Sequence, residues 1–180
     1  MKKTQMINYL KRLIFILLLC SGCDKIEDLL TFEVRDTTTF TIPSITGINS
    51  PIEIPVPPIE SSSSEDFENN NTEAALVKDV ILKELSLEII DPEDKGFGFI
   101  KSIEIYISTK DEAEVMLASK YNIPVDQGNT LVLDPSGAKL DPYLKSDLYN
   151  LRTSVQVKEI PGRDITVEAG MTFRVTADPL

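Results

Sequence analysis

Period-two alternation recurs along this chain and restricts it to β-structure. Leu30, Phe32, Val34, Thr38, Phe40 and Ile42 fall on one parity, and Thr31, Glu33, Arg35, Thr37, Thr39 and Thr41 fall on the other. Successive side chains of a strand point to opposite faces, so this spacing makes an apolar row that seeks a core and a threonine-rich row that suits solvent. Leu85, Leu87 and Ile89 alternate with Glu84, Ser86 and Glu88, and Ile103, Ile105 and Ile107 alternate with Ser102, Glu104 and Tyr106. Shorter apolar runs follow at 115–118 and 131–133. Two long runs come last: Leu151, Thr153, Val155 and Val157, then Ile165, Val167, Ala169, Met171, Phe173 and Val175. Pro161-Gly162 between them is a turn dipeptide and predicts that the two form an antiparallel hairpin.

Helical signals are few. Residues 73–78 have the composition for one or two turns. Asp141-Pro142 predicts a short helix over 141–148, with Asp141 as N-cap, Pro142 in the first turn, and Leu144 and Leu148 facing the core. About seven strands with at most two short helices predict an all-β, mainly antiparallel fold: a two-sheet, immunoglobulin-like β-sandwich, with a closed barrel as the alternative.

Composition divides the chain. Residues 43–72 hold Pro43, Pro51, Pro55, Pro57 and Pro58, then Ser61 to Ser64, then an acidic and asparagine tract, which reads as a loop or stalk. The main sandwich is expected over 73–180, joined by the strand at 30–42. So long a connection inside one domain is uncommon, and the rival expectation is a separate membrane-proximal hairpin.

The N-terminus reads as an export signal. Lys2, Lys3, Lys11 and Arg12 precede the apolar run Leu13 to Leu19, which ends at Ser21-Gly22-Cys23. A membrane-spanning helix needs roughly 20 apolar residues, so this run is too short to be one. Leu19-Cys20-Ser21-Gly22-Cys23 resembles the lipobox of bacterial lipoproteins, with Cys20 standing where a branched residue is commoner. The resemblance implies a signal peptide over 1–22 and a lipid on Cys23, with 23–29 as a tether. It also implies a place in the cell envelope, on the periplasmic or surface face of the outer membrane. An ordinary secretory signal is the competing reading. Asp24-Lys25-Ile26-Glu27-Asp28 resembles the acid-rich surface-export tag of Bacteroidota lipoproteins, or is a solvated charged tether. The chain as a whole resembles uncharacterised lipoproteins of that phylum, which implies no activity. Residues 85–108 resemble the water-stress sandwich module of late-embryogenesis-abundant proteins over about one strand pair, without that module's Asn-Pro-Asn turn.

Charge and residue types exclude several chemistries. The chain has 18 Lys and Arg against 29 Asp and Glu. Removing residues 1–22 takes four basic and no acidic residues, so 14 minus 29 leaves −15. Such a surface repels nucleic acid and anionic lipid headgroups. There is no histidine, and the two cysteines are Cys20 and Cys23, so no thiol remains for the folded part. Cysteine- or histidine-based zinc sites, Cys–His pairs and Ser-His-Asp triads are excluded.

Asp91, Glu93 and Asp94 before Gly96 imitate the start of a calcium loop. Phe99 and Ser102 fall where such a loop needs its later ligands, so a solvated turn is expected there. Acidic pairs suited to glycoside hydrolysis arise by chance among so many acids, and the chain has no tryptophan to stack on sugars. No catalysis and no cofactor are expected. Asn70-Asn71-Thr72 is an N-glycosylation sequon, and Asp36-Thr37-Thr38 resembles the O-glycosylation motif of Bacteroidota envelope proteins, which would place a sugar on Thr37. Two functions stay open: a structural or partner-binding envelope lipoprotein, favoured by an unpaired strand edge or broad apolar patch, and a module for a small ligand, lipid or glycan. A pocket lined by Tyr106, Tyr121, Tyr143 or Tyr149 would favour the second.

Overall fold

A computed structural model describes residues 31–44, 50–70 and 72–177. Nine strands follow in order: β1 (Thr31–Ile42), β2 (Pro51–Pro55), β3 (Ile59–Glu60), β4 (Val77–Asp91), β5 (Ile100–Ser108), β6 (Val115–Tyr121), β7 (Thr130–Pro135), β8 (Leu148–Val157) and β9 (Ile165–Ala177). Two short helices interrupt them, α1 (Ser63–Asn69) and α2 (Asp141–Leu144), along with single 3₁₀ turns at Ala74–Leu76 and Phe97–Phe99.

The strands form two antiparallel sheets, β1-β9-β4-β7 and β2-β8-β5-β6, joined where β6 meets β7 through Ala118 opposite Pro135 and Ser119 opposite Asp134. The chain is therefore the antiparallel β-sandwich that its alternation predicts. Within that class the connectivity is a jelly roll's. With β3 set aside, every connection crosses between the sheets except the β5–β6 hairpin, as in two nested Greek keys. β1 belongs to this sandwich and not to a separate hairpin: it pairs with β9 from Thr31 opposite Thr176 to Ile42 opposite Ile165.

Connectivity departs from expectation at β8 and β9. β8 pairs with β5 and β2, while β9 pairs with β1 and β4, so Pro161-Gly162 sits in an arch that carries the chain between sheets and is not a hairpin turn. Both strands bury the same parity, toward one core from opposite sides, and alternation alone cannot separate that arrangement from adjacency. For the same reason the runs over 85–89 and 103–107 are not neighbours; they lie in β4 and β5, in opposite sheets.

The segment over 43–72 is not a stalk in its described part. β2 pairs with β8, and Ile59 and Glu60 extend that pairing. Pro51 and Pro55 fit because β2 lies at a sheet edge, where a missing N–H leaves no ladder bond unmade. α1 then closes the open side of the sandwich, with Phe67 buried edge-on against Phe32 at 6.0 Å between ring centroids. α2 is shorter than expected. Leu140 stands at its N-cap position and Asp141 is its first residue, while Leu148 opens β8 and is half exposed. The expected turns at 73–78 reduce to one 3₁₀ turn before β4, whose register shifts between Leu82 and Glu84. That bulge moves burial from Val80 and Leu82 to Leu85, Leu87 and Ile89, which hides the first half of the strand from a parity reading.

Among the described residues the core contains one acid. Asp36 lies on the inward parity of β1 and is 6% exposed. Its Oδ2 accepts from the Tyr149 hydroxyl at 2.9 Å and its Oδ1 from the Ser62 amide at 3.0 Å. Burial, reinforced by the Asp36 charge, pushes the Tyr149 hydroxyl far above its ordinary pKa, so it stays a proton donor. Tyr149→Phe should lower stability by about 1–3 kcal/mol, because it leaves a buried carboxylate short of a partner; chemical denaturation would measure the loss. At the end of the sandwich nearest β9's start, Gly98 packs against the 123–128 loop. A Cβ on Gly98 would lie 2.0 Å from the Val125 carbonyl oxygen. Gly98→Ala should therefore cost about 1–3 kcal/mol by forcing two backbones apart, and a thermal melt that matches wild type would contradict this packing.

Candidate functional site

Alternation places Ser102, Glu104 and Tyr106 of β5 on the outer face of the second sheet, opposite the buried Ile103, Ile105 and Ile107. β8 contributes Arg152, Ser154 and Gln156 to the same face, and register sets Tyr106 opposite Arg152, Glu104 opposite Ser154, and Ser102 opposite both Gln156 and Tyr121. Three strands thus bring two tyrosines and two opposite charges to one patch.

Glu104 is its centre. Oε2 accepts from the Tyr106 hydroxyl at 2.8 Å, and Oε1 accepts from the Tyr121 hydroxyl at 2.7 Å. Those bonds, Tyr121's first, hold the carboxyl below its ordinary pKa, with the Arg152 charge helping. The same bonds raise both phenols. Arg152 lies 4.1 Å from the centre of the Tyr106 ring, a cation–π distance. Its Nε and Nη2 donate to the two oxygens of Glu114, and its Nη1 donates to Glu53, each at 2.7 Å. The two-pronged contact holds the Glu114 carboxyl below its ordinary pKa. Beside this network a concavity of about 240 Å³ opens, lined by Pro51, Lys101, Ser102, Glu104, Tyr121, Asn122, Ser154 and Gln156. Asn122 has φ 53°, a left-handed conformation that asparagine tolerates better than most residues.

The residues singled out by sequence scatter. Cys23 lies outside the described residues. Asp91 ends β4, Asp94 is ion-paired with Arg163, and Lys95 closes a turn onto the Pro92 carbonyl. Among the described residues no group of three or more candidate ligands could hold a metal. Asn70 follows α1 and donates its side-chain amide to the Asp66 carbonyl at 2.7 Å, while the Thr72 hydroxyl of the same sequon is buried without a partner. Thr37 is exposed in the middle of β1, but the preceding Asp36 is committed to Tyr149 and Ser62. Of the four tyrosines, Tyr143 and Tyr149 are buried, and only Tyr106 and Tyr121 share the patch. The grouping of Glu53, Glu104, Glu114 and Arg152 is not legible in the sequence: alternation puts Glu104 and Arg152 on the outward parity of β5 and β8, but Glu53 lies in the segment that reads as a stalk, Glu114 precedes β6, and the register that joins them is not visible.

No family model matches this chain, and no curated protein does. Among solved structures it is similar to the BFDV capsid protein of a decameric assembly, at 11% identity and a TM-score of 0.33, over 82% of this chain and 99% of that one. It is also similar to the structure of Tomato Aspermy Virus, at 11% identity and a TM-score of 0.31, over 77% and 76%. A third likeness is to the capsid of Helicobacter pylori bacteriophage KHP30, at 9% identity and a TM-score of 0.29, over 83% and 95%. At these scores the jelly-roll assignment rests on strand order.

The Glu104 network sets a sign for acid stability. A carboxyl whose folded pKa is depressed contributes stability above its unfolded value, and that stability is lost as pH falls through the folded value. Glu104→Gln should therefore flatten the acid limb of the stability curve below about pH 4.5, where wild type loses the contribution; denaturation midpoints collected across that range would show it.

Proposed function

We propose that this chain is a lipid-anchored protein of the bacterial cell envelope whose jelly roll is a non-catalytic structural or partner-binding domain. The anchor is read from Leu19-Cys20-Ser21-Gly22-Cys23. The observation that carries the partner-binding role is the contrast, among the described residues, between the two strands that end the sheet order, β1 and β2. On β2 the edge is bounded by Pro51 and Pro55, with Pro57 and Pro58 just beyond, a common device against further pairing. On β1 the edge has no proline, glycine or lysine, and among the described residues β1 pairs with β9 alone.

The Ser62 hydroxyl donates to the Arg35 carbonyl, so the α1 segment covers part of this edge. The other half, Thr37-Thr38-Thr39-Phe40-Thr41-Ile42, is uncharged and rich in strand formers. Geometry favours presenting it outward. Thr31 lies eight residues after Cys23, a reach of at most about 28 Å. The start of β1 then faces the membrane, and residues 37–42 lie at the far end of a strand about 40 Å long.

Labelled palmitate should enter wild type and not Cys23→Ala; an unlabelled wild type would sink the anchor. Amide exchange over 37–42 should be slower in isolated envelopes than in purified protein. Equal exchange would mean that no strand is added there.

A further inference from the structure

We propose that the concavity beside Glu104 binds a single neutral sugar residue through two hydroxyls on adjacent ring carbons. Each Glu104 oxygen already accepts one phenol proton, Tyr106 on Oε2 and Tyr121 on Oε1. A carboxylate offers about four acceptor positions, so both oxygens retain capacity, side by side, for a second donor. Two phenols approaching from different strands fix the plane of the carboxylate, so little orientation is lost on binding. A vicinal diol presents two O–H donors at matching separation.

The rest of the lining suits a polyol. Lys101 and Asn122 supply donors, Ser102, Ser154 and Gln156 carry groups that both donate and accept, and Tyr121, half exposed, supplies an aromatic surface. An apolar ligand would leave the Glu104 carboxylate and the Lys101 ammonium of the lining without a polar partner. A cationic ligand would meet the Lys101 ammonium in the lining. An anionic ligand would face Glu104 on a chain of net charge −11. The volume, about 240 Å³, is below the roughly 300–1,000 Å³ of sites for drug-sized ligands and admits about one ring. Pro51, Gln156 and Tyr121 stand at the end of the sheet where β2 begins and β6 and β8 finish, so a chain of further residues can run outward from the bound one.

Isothermal titration of the purified full chain in detergent tests the site, with methyl glycosides of glucose, galactose, mannose and N-acetylglucosamine as probes and L-arginine as the cationic comparison. At least one glycoside should bind with millimolar affinity. Glu104→Ala should weaken it about tenfold or more, the scale of losing hydrogen bonds to a charged group. Tyr121→Phe, which keeps the ring and frees one carboxylate oxygen, should weaken it less. Thermal melts separate a lost site from a lost fold, and Tyr121→Phe serves as the second variant if Glu104→Ala unfolds. The proposal is overturned if no glycoside binds at tens of millimolar, if neither variant weakens binding, or if L-arginine binds more tightly than every glycoside.

Discussion

Asp36 ties the sandwich together at the side where β1 and β2 end the strand order. A buried carboxylate is costly unless its oxygens are paired, and here the partners come from different parts of the fold: Tyr149 on β8 of the facing sheet, and the Ser62 backbone where the chain turns into α1. Satisfying one side chain therefore fixes the spacing of the two sheets and seats the helix that covers their gap. Tyr149 also packs edge-on against Phe173 of β9 at 6.4 Å between centroids, so the polar contact is embedded in the apolar core. Its hydroxyl lies near the Met171 sulfur as well, at 3.9 Å.

The outer face of the second sheet follows a different rule. Its charges satisfy one another in the plane of the surface: Arg152 is held by Glu53 and Glu114, and Glu104 by two phenols. Exposed ion pairs contribute little to stability, so the consequence of this arrangement is positional. Side chains that would otherwise sample many rotamers are held in one orientation beside the concavity.

Alternation made most of the strands legible, because each buries one face and the pleat repeats every two residues. β1, the latter half of β4, β5, β8 and β9 all read directly. Parity failed where a bulge reset it, in β4 before Leu85, and where prolines disguised an edge strand, in β2. It was silent on which strands are neighbours. Pro161-Gly162 marks a change of direction equally well in a hairpin and in an arch, and only the hydrogen-bond register distinguishes the two. The candidate site suffered most from that silence. Tyr106 and Tyr121 stood out as residue types, yet the carboxylate between them and the arginine beside it needed three strands to be placed in order first. Asp36 broke the apolar parity of β1 and was a visible sign that the core holds a polar contact.

The pairing of β1 with β9 also bears on when the domain can form. Thr31 and Thr176, whose hydroxyls meet at 3.3 Å, are 145 positions apart, and among the described residues no other strand pairs with β1. A chain emerging N-terminus first must hold its first strand unpaired until its last has been delivered. Closing so long a loop adds little to the equilibrium cost, which grows only with the logarithm of loop length, but non-local pairing slows folding. Such a chain stays open until β9 has emerged, and Thr37 to Ile42 are exposed on both sides during the interval.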